Sequence, residues 1–338
     1  GHDFISVLKE DRAAMYSSDV LRSLGFLVVV FGIMYASIKN MLNQKNAIIL
    51  VGLVMVFDLV LVDKKYVNSE NFKSKREIDM PYQMTEADQN ILQDTTHFRV
   101  FEAAGNMSSA RSSYFHKSLG GYSAVKPKRM QELFDYQIAK NNLQVYNMLN
   151  TKYIIKADEK GEDIALLNPD ANGNAWFVEK IKFVSSSNEE MKMLDSLRTK
   201  DEVILNLTEF GTYFKGRTFS QDLKRDSLAK IDLIEYKPNH LKYKSTNSNE
   251  GFAVFSEMYY ENGWIATIDG KETPIYRVDY ALRGLEVPAG NHTIEFKFEP
   301  QVVKTGSTIV LFSTIGMLLL LIVGIYFESK EARDKKQE

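Results

Sequence analysis

The sequence predicts a membrane protein fragment, with three transmembrane helices and a large α+β region that ends in a small β-sandwich. The first observation behind this prediction is three apolar runs whose length and composition suit a lipid bilayer. The second is residues 64–305, between the second and third runs, where short apolar segments alternate with polar ones as in soluble domains. Because the runs on either side both cross the membrane, residues 64–305 must all lie on one side of it.

The strongest transmembrane signal is residues 306–327, GSTIVLFSTIGMLLLLIVGIYF, which contain no charged residue. A helix rises about 1.5 Å per residue, so this run is long enough to cross the roughly 30 Å hydrocarbon core. Residues 24–38 and 47–62 are shorter, and a buried core hairpin is the alternative for them. The short segment between them favours a transmembrane helical hairpin over residues 21–62. Asp58 lies inside the second run, and we expect its side chain to reach the membrane interface.

The beginning of the chain carries no recognisable targeting signal. It starts at Gly1 without Met, and no charged segment precedes an apolar stretch with a small-residue cleavage site. We therefore expect the chain to be the C-terminal part of a longer membrane protein.

Composition limits the kinds of site that the chain can hold. The absence of Cys excludes disulfides and thiolate metal ligands, and the five His residues show no HxxxH or HxH spacing. No GxSxG, Walker or GxGxxG pattern occurs. A formal net charge of −2 at pH 7 argues against nucleic-acid binding. We expect no metal site, no cofactor and no nucleic-acid partner.

Residues 85–229 mix helix and strand signals. Thr85 and Asp88 have the spacing of a capping box, which predicts the start of a short helix. Residues 127–150 carry an apolar stripe with helical spacing and predict one helix. Three strands are predicted at residues 98–102, 153–156 and 176–184. A further short helix is predicted at residues 187–198.

Residues 230–302 have strand signals throughout. Asp269 and Gly270 form a hairpin-turn pair, and residues 288–291 supply another turn. Seven short strands at this spacing predict a small β-sandwich. They lie at residues 231–236, 241–245, 252–259, 264–268, 273–278, 281–286 and 292–298.

Charge does not give the orientation of the large region. Lys and Arg residues lie near the helix ends on both sides of the predicted spans. Large domains cross membranes largely regardless of their charge, so the positive-inside rule is weak for this chain.

Two stretches of the chain resemble the C-terminal half of the bacterial YfhO-family membrane proteins. The first is FRVFEAAGNMSSARSSYFHKSLGGYSAVKPKRMQELFDYQI, which leads into VYNMLNTKYII. The second is MYYENGWIATIDGKETPIYRVDYALRGLEVPAGNHTIEFKFEP, which precedes the last apolar run. The two stretches and that run span residues 98–327, and a looser match at residues 1–62 rests on the pattern DRxxxxxxDxxRS.

The resemblance implies a multi-pass protein of the bacterial cell (inner) membrane, with the large region outside the cytoplasm and the C-terminal tail inside. It also implies kinship with glycosyltransferases of the GT-C type. These enzymes take a sugar from a polyprenyl-phosphate donor and place it on a cell-envelope acceptor such as a teichoic acid. Their catalytic acid lies in the first extracytoplasmic loop, so we expect this chain to lack the catalytic residue, which stays unknown.

On this interpretation the chain has seven parts. They are a membrane-edge segment (1–20), a transmembrane helical hairpin (21–62), a linker (63–84), a mixed α/β extracytoplasmic domain (85–229), a β-sandwich-like domain (230–302), a transmembrane helix (306–327) and a cytoplasmic tail (328–338). Because the last strand ends close to the third helix, we expect the sheet to lie near the bilayer surface.

Basic and aromatic residues crowd into residues 114–129 around Gly120 and Gly121. A glycine-containing loop next to a helix start can bind a phosphate or a sugar phosphate, because helix starts carry free N–H groups. The alternative is a solvated turn in which Gly-Gly allows positive φ and the basic residues face water. The ligand-binding candidates are His116, Lys117, Tyr122, Lys126 and Arg129. We expect Ala at three of these positions, His116, Lys126 and Arg129, to weaken binding of an anionic glycan and to leave the fold intact.

Two further groups of side chains are candidates for ligand contacts. Trp264, Tyr259 and Tyr260 are candidates for an aromatic platform under a sugar ring; core packing is the alternative for Trp264, because alternate residues of the strand share one face. Arg12 and Arg22 precede the first apolar run and are candidates to hold a lipid phosphate. Ion pairing with the nearby Asp residues, or anchoring at the membrane interface, is the alternative for both.

The leading functional hypothesis is a YfhO-like glycosyltransferase that moves a sugar from a polyprenyl-phosphate donor to a cell-envelope polymer, with this chain positioning the acceptor. The alternative is a non-catalytic envelope carbohydrate-binding or assembly module. A third hypothesis is a transport-related membrane protein. The partners that these hypotheses name are membrane lipid, a polyprenyl-phosphate sugar and an envelope glycan.

Overall fold

The computed structural model describes residues 2–105, 107–211, 222–224 and 228–334. Contacts between residues divide the chain into two compact units, Gly1–Gln83 and Met84–Glu338.

The first unit is helical. Its helices are α1 (His2–Ile38), α2 (Gln44–Tyr66) and α3 (Lys75–Asp79). The side chain of Asn43 caps α2 by accepting a hydrogen bond from the Asn46 N–H. The rings of Phe26 and Phe57 lie 6.3 Å apart between α1 and α2, so the two helices pack as a hairpin.

The second unit contains seven helices and fourteen strands among its described residues. The helices are α4 (Glu86–Leu92), α5 (Arg111–Phe115), α6 (Lys128–Tyr136), α7 (Leu143–Met148), α8 (Ser187–Met193), α9 (Leu207–Phe210) and α10 (Gln301–Asp334). The strands are β1 (Arg99–Glu102), β2 (Thr151–Ala157), β3 (Asp163–Leu167), β4 (Ala175–Val178), β5 (Lys180–Val184), β6 (Glu202–Asn206), β7 (Lys230–Lys237), β8 (His240–Asn247), β9 (Gly251–Met258), β10 (Trp264–Ile268), β11 (Lys271–Thr273), β12 (Tyr276–Val278), β13 (Leu282–Val287) and β14 (Gly290–Phe298).

Three of the described helices are long and apolar enough to cross a membrane. They are Phe4–Ile38, Gln44–Tyr66 and Gln301–Lys330, which confirms the three predicted spans. Residues 2–20 of the predicted separate segment 1–20 are instead part of α1. Residues 2–24 contain neither Gly nor Pro, so nothing in the sequence interrupts the helix. The helix α10 likewise continues past the predicted boundary at residue 327 to Asp334, and residues 335–338 of the predicted tail lie outside the described residues.

The strands form three sheets. The smallest has the order β1-β2-β3, and the second has the order β11-β10-β14-β8-β7. The third has six strands in the order β4-β9-β13-β12-β6-β5. In this third sheet β5 and β6 are parallel, whereas the other pairs are antiparallel.

The six-stranded sheet curls round on itself. Its two end strands, β4 and β5, are consecutive in the sequence with only Glu179 between them. Consecutive Cα atoms are about 3.8 Å apart, so the two ends of the sheet must meet. The predicted strand at residues 176–184 is therefore one extended segment that changes partner at Glu179, from β9 to β6.

The curled sheet is buried on both faces. In β4, Trp176 and Val178 belong to an inner apolar cluster, while Ala175 and Phe177 belong to an outer one, as the alternation of a strand requires. The inner cluster also contains side chains of α6 and α7, and the outer cluster contains side chains of β8 and β14. Helices thus cover one face, and the five-stranded sheet covers the other.

This arrangement differs from the predicted β-sandwich over residues 230–302. The curled sheet takes β4 to β6 from the predicted α/β domain and β9, β12 and β13 from the predicted sandwich. The predicted boundary at residue 230 therefore runs through one sheet. The pairing of β5 with β6 and of β4 with β9 joins distant segments, and local sequence patterns carry no signal for it.

Two of the predicted elements are interrupted. The helix expected at residues 127–150 is broken into α6, a 3-10 turn at Ile138–Lys140 and α7, because Asn141 has a positive φ of 58° and Asn142 caps α7. The strand expected at residues 273–278 is divided into β11 and β12 at Pro274, which lacks the N–H that a ladder needs.

Replacing Gly284 by Ala tests the tight packing inside the curled sheet. A Cβ at this position would lie 2.7 Å from the Phe252 ring and 3.0 Å from Val278, both fully buried. We expect Gly284→Ala to lower the free energy of unfolding by about 1–3 kcal/mol, the usual cost of overpacking. Denaturant unfolding of the full chain in detergent micelles measures it. Gly211→Ala, whose Cβ would make an ordinary 3.9 Å contact, is the control and should change little; equal stability of both variants contradicts the packing argument.

Candidate functional site

A groove of about 530 Å³ lies at one end of the two larger sheets. It forms where the β10–β11 hairpin meets the connections from β8 to β9 and from β13 to β14. These three connections are adjacent because Ile268 pairs with Ile294, Gly290 with Asn247, and Gly251 with Val287. The polar side chains that line the groove are Glu250, Asp269, Lys271, Glu272, Thr273, Tyr276, Glu286 and His292.

The Asp269-Gly270 turn forms one wall of the groove. Both residues have positive φ, 51° and 79°, which is the pattern of the predicted two-residue hairpin turn. Asp269 also reaches across to β14: its Oδ1 accepts a hydrogen bond from the Thr293 N–H at 2.9 Å, and its Oδ2 lies 2.6 Å from His292 Nδ1. The turn is therefore fixed to the neighbouring strand.

His292 is held between two acceptors. Its Nδ1 faces the Asp269 carboxylate, and its Nε2 lies 3.1 Å from the Ala289 carbonyl oxygen. Both ring nitrogens donate only in the imidazolium form, so these contacts raise the pKa of His292, the Asp269 bond most of all. In turn, His292 and then the Thr293 N–H lower the pKa of Asp269. Gly290 allows this geometry, because its φ is 125° and a Cβ there would lie 3.1 Å from His292 Nε2.

The remaining polar side chains make the groove acidic. The buried ring of Tyr276 directs its hydroxyl to Glu286, with 2.7 Å between the two oxygens. Glu250, Asp269, Glu272 and Glu286 supply four carboxylates, against the two basic side chains Lys271 and His292. Carboxylates accept hydrogen bonds from hydroxyl and ammonium groups, and they repel polyanions. Within the described residues, no group of three His, Asp or Glu side chains could hold a metal ion.

The structure does not bring the predicted loop candidates together. His116 Nε2 lies 2.9 Å from Asp88 Oδ1, and the Lys117 ammonium lies 4.6 Å from the centre of the Tyr236 ring. The other candidates contact yet other neighbours or face solvent. Arg129 reaches Tyr280, Ser187 and Glu209, Lys126 donates to Gln131, and Tyr122 is 80% exposed. A shared anion site at this loop is therefore not formed by these side chains.

Asp88 explains the position of His116. The predicted capping box is present, since Asp88 Oδ2 accepts from the Thr85 N–H at 2.8 Å. The same carboxylate is fully buried and pairs with Arg111 as well as with His116. Burial raises the pKa of Asp88, but the hydrogen bonds from Thr85 and His116 and the charge of Arg111 outweigh burial and hold it below its ordinary value. The sequence predicts the cap, but the other two partners come from tertiary structure.

The proposed aromatic platform is not a single surface. Trp264 packs against the outer apolar cluster, with Phe298 at 5.2 Å and the Arg283 guanidinium 4.0 Å from its ring centre. Tyr259 packs against the inner cluster beside Phe210. Both rings therefore pack against an apolar cluster, and both are only partly buried.

In the first unit, Arg22 is paired within the protein. Its guanidinium lies 3.1 Å from Asp19 and 3.3 Å from Asp58. The ion-pair alternative therefore describes Arg22, which pairs with Asp19 and Asp58. Arg12 is exposed on α1.

Two buried carboxylates carry no signal in the sequence. Asp279 Oδ1 accepts a hydrogen bond from the Ile204 N–H, and Glu190 Oε1 accepts one from the Tyr280 N–H, both at 2.8 Å. Burial raises the pKa of each carboxyl group. Asp279 and Tyr280 both have positive φ, so the two carboxylates fix an unusual turn between β12 and β13.

Comparison with known proteins gives one family. Residues 182–310 match the family model described as bacterial membrane protein YfhO, which confirms the family resemblance over that segment. Among curated proteins, the chain is similar to "Uncharacterized protein YfhO" of Bacillus subtilis (strain 168), at 26% identity over 99 residues, which are 29% of this chain and 11% of that protein. The matched part thus spans about a tenth of the relative's length. No solved structure matches the chain.

The matched segment contains the whole groove, from Glu250 to His292, and it does not contain the loop around His116. The groove is therefore the candidate site within the family region.

Replacing His116 by Ala tests whether its ring serves the fold. The ring is buried against the fully buried Asp88, so its loss leaves a carboxylate with one partner fewer. We expect His116→Ala to lower the free energy of unfolding by about 1–3 kcal/mol, measured by denaturant unfolding in micelles. Tyr122→Ala, in the same loop but exposed, is the matched control. Unchanged stability of His116→Ala would contradict a structural role for the ring.

The His292–Asp269 pair should make stability depend on pH. Since the folded pKa of His292 is raised, its contribution is complete below the ordinary value of 6.5 and is lost as pH rises through the raised value. Since the folded pKa of Asp269 is lowered, its contribution is complete above 3.8 and is lost as pH falls through the lowered value. We expect the difference in Tm between the wild type and His292→Gln to be largest between pH 3.8 and 6.5.

Thermal unfolding at a series of pH values measures this difference. Asp269→Asn should show the same pH profile as His292→Gln, because either change removes the pair. A difference from the wild type that is constant across the whole range contradicts the pairing.

Proposed function

We propose that this YfhO-family membrane chain is part of a GT-C type glycosyltransferase, and that its groove holds the cell-envelope polymer that receives a sugar. The observation that carries this proposal is the acidic groove of about 530 Å³, built by the motif turns at Asp269 and at residues 288–291. Its volume lies within the range of about 300–1,000 Å³ that is usual for small-ligand sites.

The charge of the groove supports a sugar ring as the bound unit. Four carboxylates present strong hydrogen-bond acceptors, and the hydroxyl groups of a sugar are donors that fit them. A polyanionic backbone would meet net negative charge there. We therefore propose that the groove contacts an uncharged sugar residue of the acceptor, with Glu272 and Glu286 as acceptors and Lys271 as a donor.

The position of the groove supports a role in holding a long acceptor. Strand β14 carries His292 near one end and is followed by the apolar helix α10 at its other end. The six-residue step from His292 to Phe298 covers about 20 Å at the usual strand rise. A ligand in the groove would lie about that far from the start of α10, so a polymer would extend from the groove toward a lipid-linked donor.

We propose that other parts of the protein carry out the catalytic step. The donor is a polyprenyl-phosphate sugar, which would lie in the membrane, and this chain would position the acceptor on the extracytoplasmic side. A non-catalytic envelope carbohydrate-binding module would use the same groove and would differ in having no transfer step.

Replacing Glu272 by Gln tests the acceptor role of the groove. Glu272 lies on β11 and is exposed, so the change removes a carboxylate without disturbing the core. We expect neutral oligosaccharides to bind the full chain more tightly than unsubstituted poly(glycerol phosphate). We also expect Glu272→Gln to weaken this binding about tenfold to a hundredfold, as for loss of a charge-assisted hydrogen bond.

Calorimetric titration of the full chain in detergent micelles measures these affinities. Glu159→Gln removes a carboxylate from an exposed turn outside the groove and is the matched control. Equal affinity of Glu272→Gln and the control, or preference for the polyanion, would overturn the proposal.

A further inference from the structure

The passage from the five-stranded sheet to α10 is fixed by hydrogen bonds. Strand β14 ends at Phe298 and α10 begins at Gln301, so only two residues lie between them. The Phe298 N–H donates to the Asn239 carbonyl at 2.9 Å, and the Glu299 N–H donates to the Gly263 carbonyl at 2.6 Å. The sheet therefore has no flexible linker to the helix.

The loop before β10 packs closely on this passage. Gly263 has a φ of 106°, and a Cβ at this position would lie 2.9 Å from both the Phe298 ring and the Pro300 side chain. Only Gly combines this backbone conformation with so close a contact. Gly263 is thus held at the level at which the chain enters α10.

Aromatic side chains surround the entry to α10. The Trp264 ring lies 5.2 Å from the Phe298 ring, and the Tyr260 ring lies 6.4 Å from it on the exposed side. Tyr260 is 54% exposed. Trp and Tyr side chains are enriched where membrane helices enter the headgroup region, because they combine an apolar ring with a polar group.

The depth of these rings follows from the helix. The uncharged run begins at Gly306, five residues after Gln301, which places its start about 8 Å below the start of α10. Each headgroup region of a bilayer is about 5–8 Å thick. The rings near Phe298 and Pro300 therefore lie at the outer edge of the headgroup region when α10 spans the bilayer.

Two other occupants fit this surface less well. A sugar would need a free ring face, but the Arg283 guanidinium lies 4.0 Å from the centre of the Trp264 ring and covers one face. Electrostatic binding to an anionic surface would need unpaired cations, but Lys297 pairs with Glu295 and Lys304 pairs with Glu299. The attraction must come from the rings and not from net charge.

We propose that Tyr260, Trp264 and Phe298 form a membrane-docking surface that sits in the headgroup region of the phospholipid bilayer. This surface holds the five-stranded sheet in one orientation on α10. It is independent of the ligand of the groove, which lies at the opposite end of β14.

Fluorescence quenching in lipid nanodiscs tests this surface on the full chain. The chain has two Trp residues, and Trp176 is buried in the core with its indole N–H donating to the Thr199 carbonyl. We expect phospholipids that carry a nitroxide at the headgroup to quench most of the Trp264 emission. Nitroxides at the end of the acyl chain should quench little, and the result should be the same in zwitterionic and anionic nanodiscs.

Two variants serve as controls. Trp264→Phe keeps only the buried Trp176, so its emission should lose the lipid quenching. A flexible Gly/Ser insertion between Pro300 and Gln301 keeps Trp264 but releases the sheet, and it should lower the quenching. Any one of three results would overturn the proposal. These are quenching of Trp264 by aqueous iodide alone, quenching by neither iodide nor the lipid nitroxides, and lipid quenching that the insertion leaves unchanged.

Discussion

The single residue between β4 and β5 is the constraint on which the rest of the second unit depends. Because Glu179 alone separates the two end strands, the six-stranded sheet has to close on itself. One face of the closed sheet then packs against side chains of helices α6 and α7. The outer face must then be covered by something else, which is the five-stranded sheet. The groove and the entry to α10 lie at the two ends of this pair of sheets.

Local structure was predictable where a short run of neighbouring residues determines it. The Thr85–Asp88 cap, the Asp269-Gly270 turn and the long apolar helices follow from a few neighbouring residues, and the structure contains all of them. The helix expected at residues 127–150 failed because Asn141 adopts a positive φ that an apolar stripe does not reveal. The β-sandwich boundary failed because closure of the curled sheet depends on pairs of strands far apart in the sequence.

The candidate site shows the same difference between local and distant information. His116, Lys117 and Arg129 are close in the sequence, but their side chains contact Asp88, Tyr236 and Glu209 on three different elements. The groove has the opposite character, since its carboxylates come from the β8–β9 connection, the β10–β11 turn and strands β11 and β13, which only the sheets bring together. A cluster of residue types along the chain is thus weak evidence for a site. The motif turns that shape the groove were visible in the sequence, although as turns and not as binding residues.

Strand β14 links the two ends of the structure mechanically. It pairs with β8 along its length and with β10 over five residues, so it cannot bend independently of the sheet. His292 stands at the groove end of this strand, and Phe298 stands where the chain passes into α10. Because the strand between them is rigid, the depth and tilt of α10 in a bilayer determine how far the groove lies from the membrane and which way it faces. If the groove binds an envelope polymer, the distance from that polymer to the membrane is set by the length of β14, and aromatic contacts at the headgroup level would keep it constant.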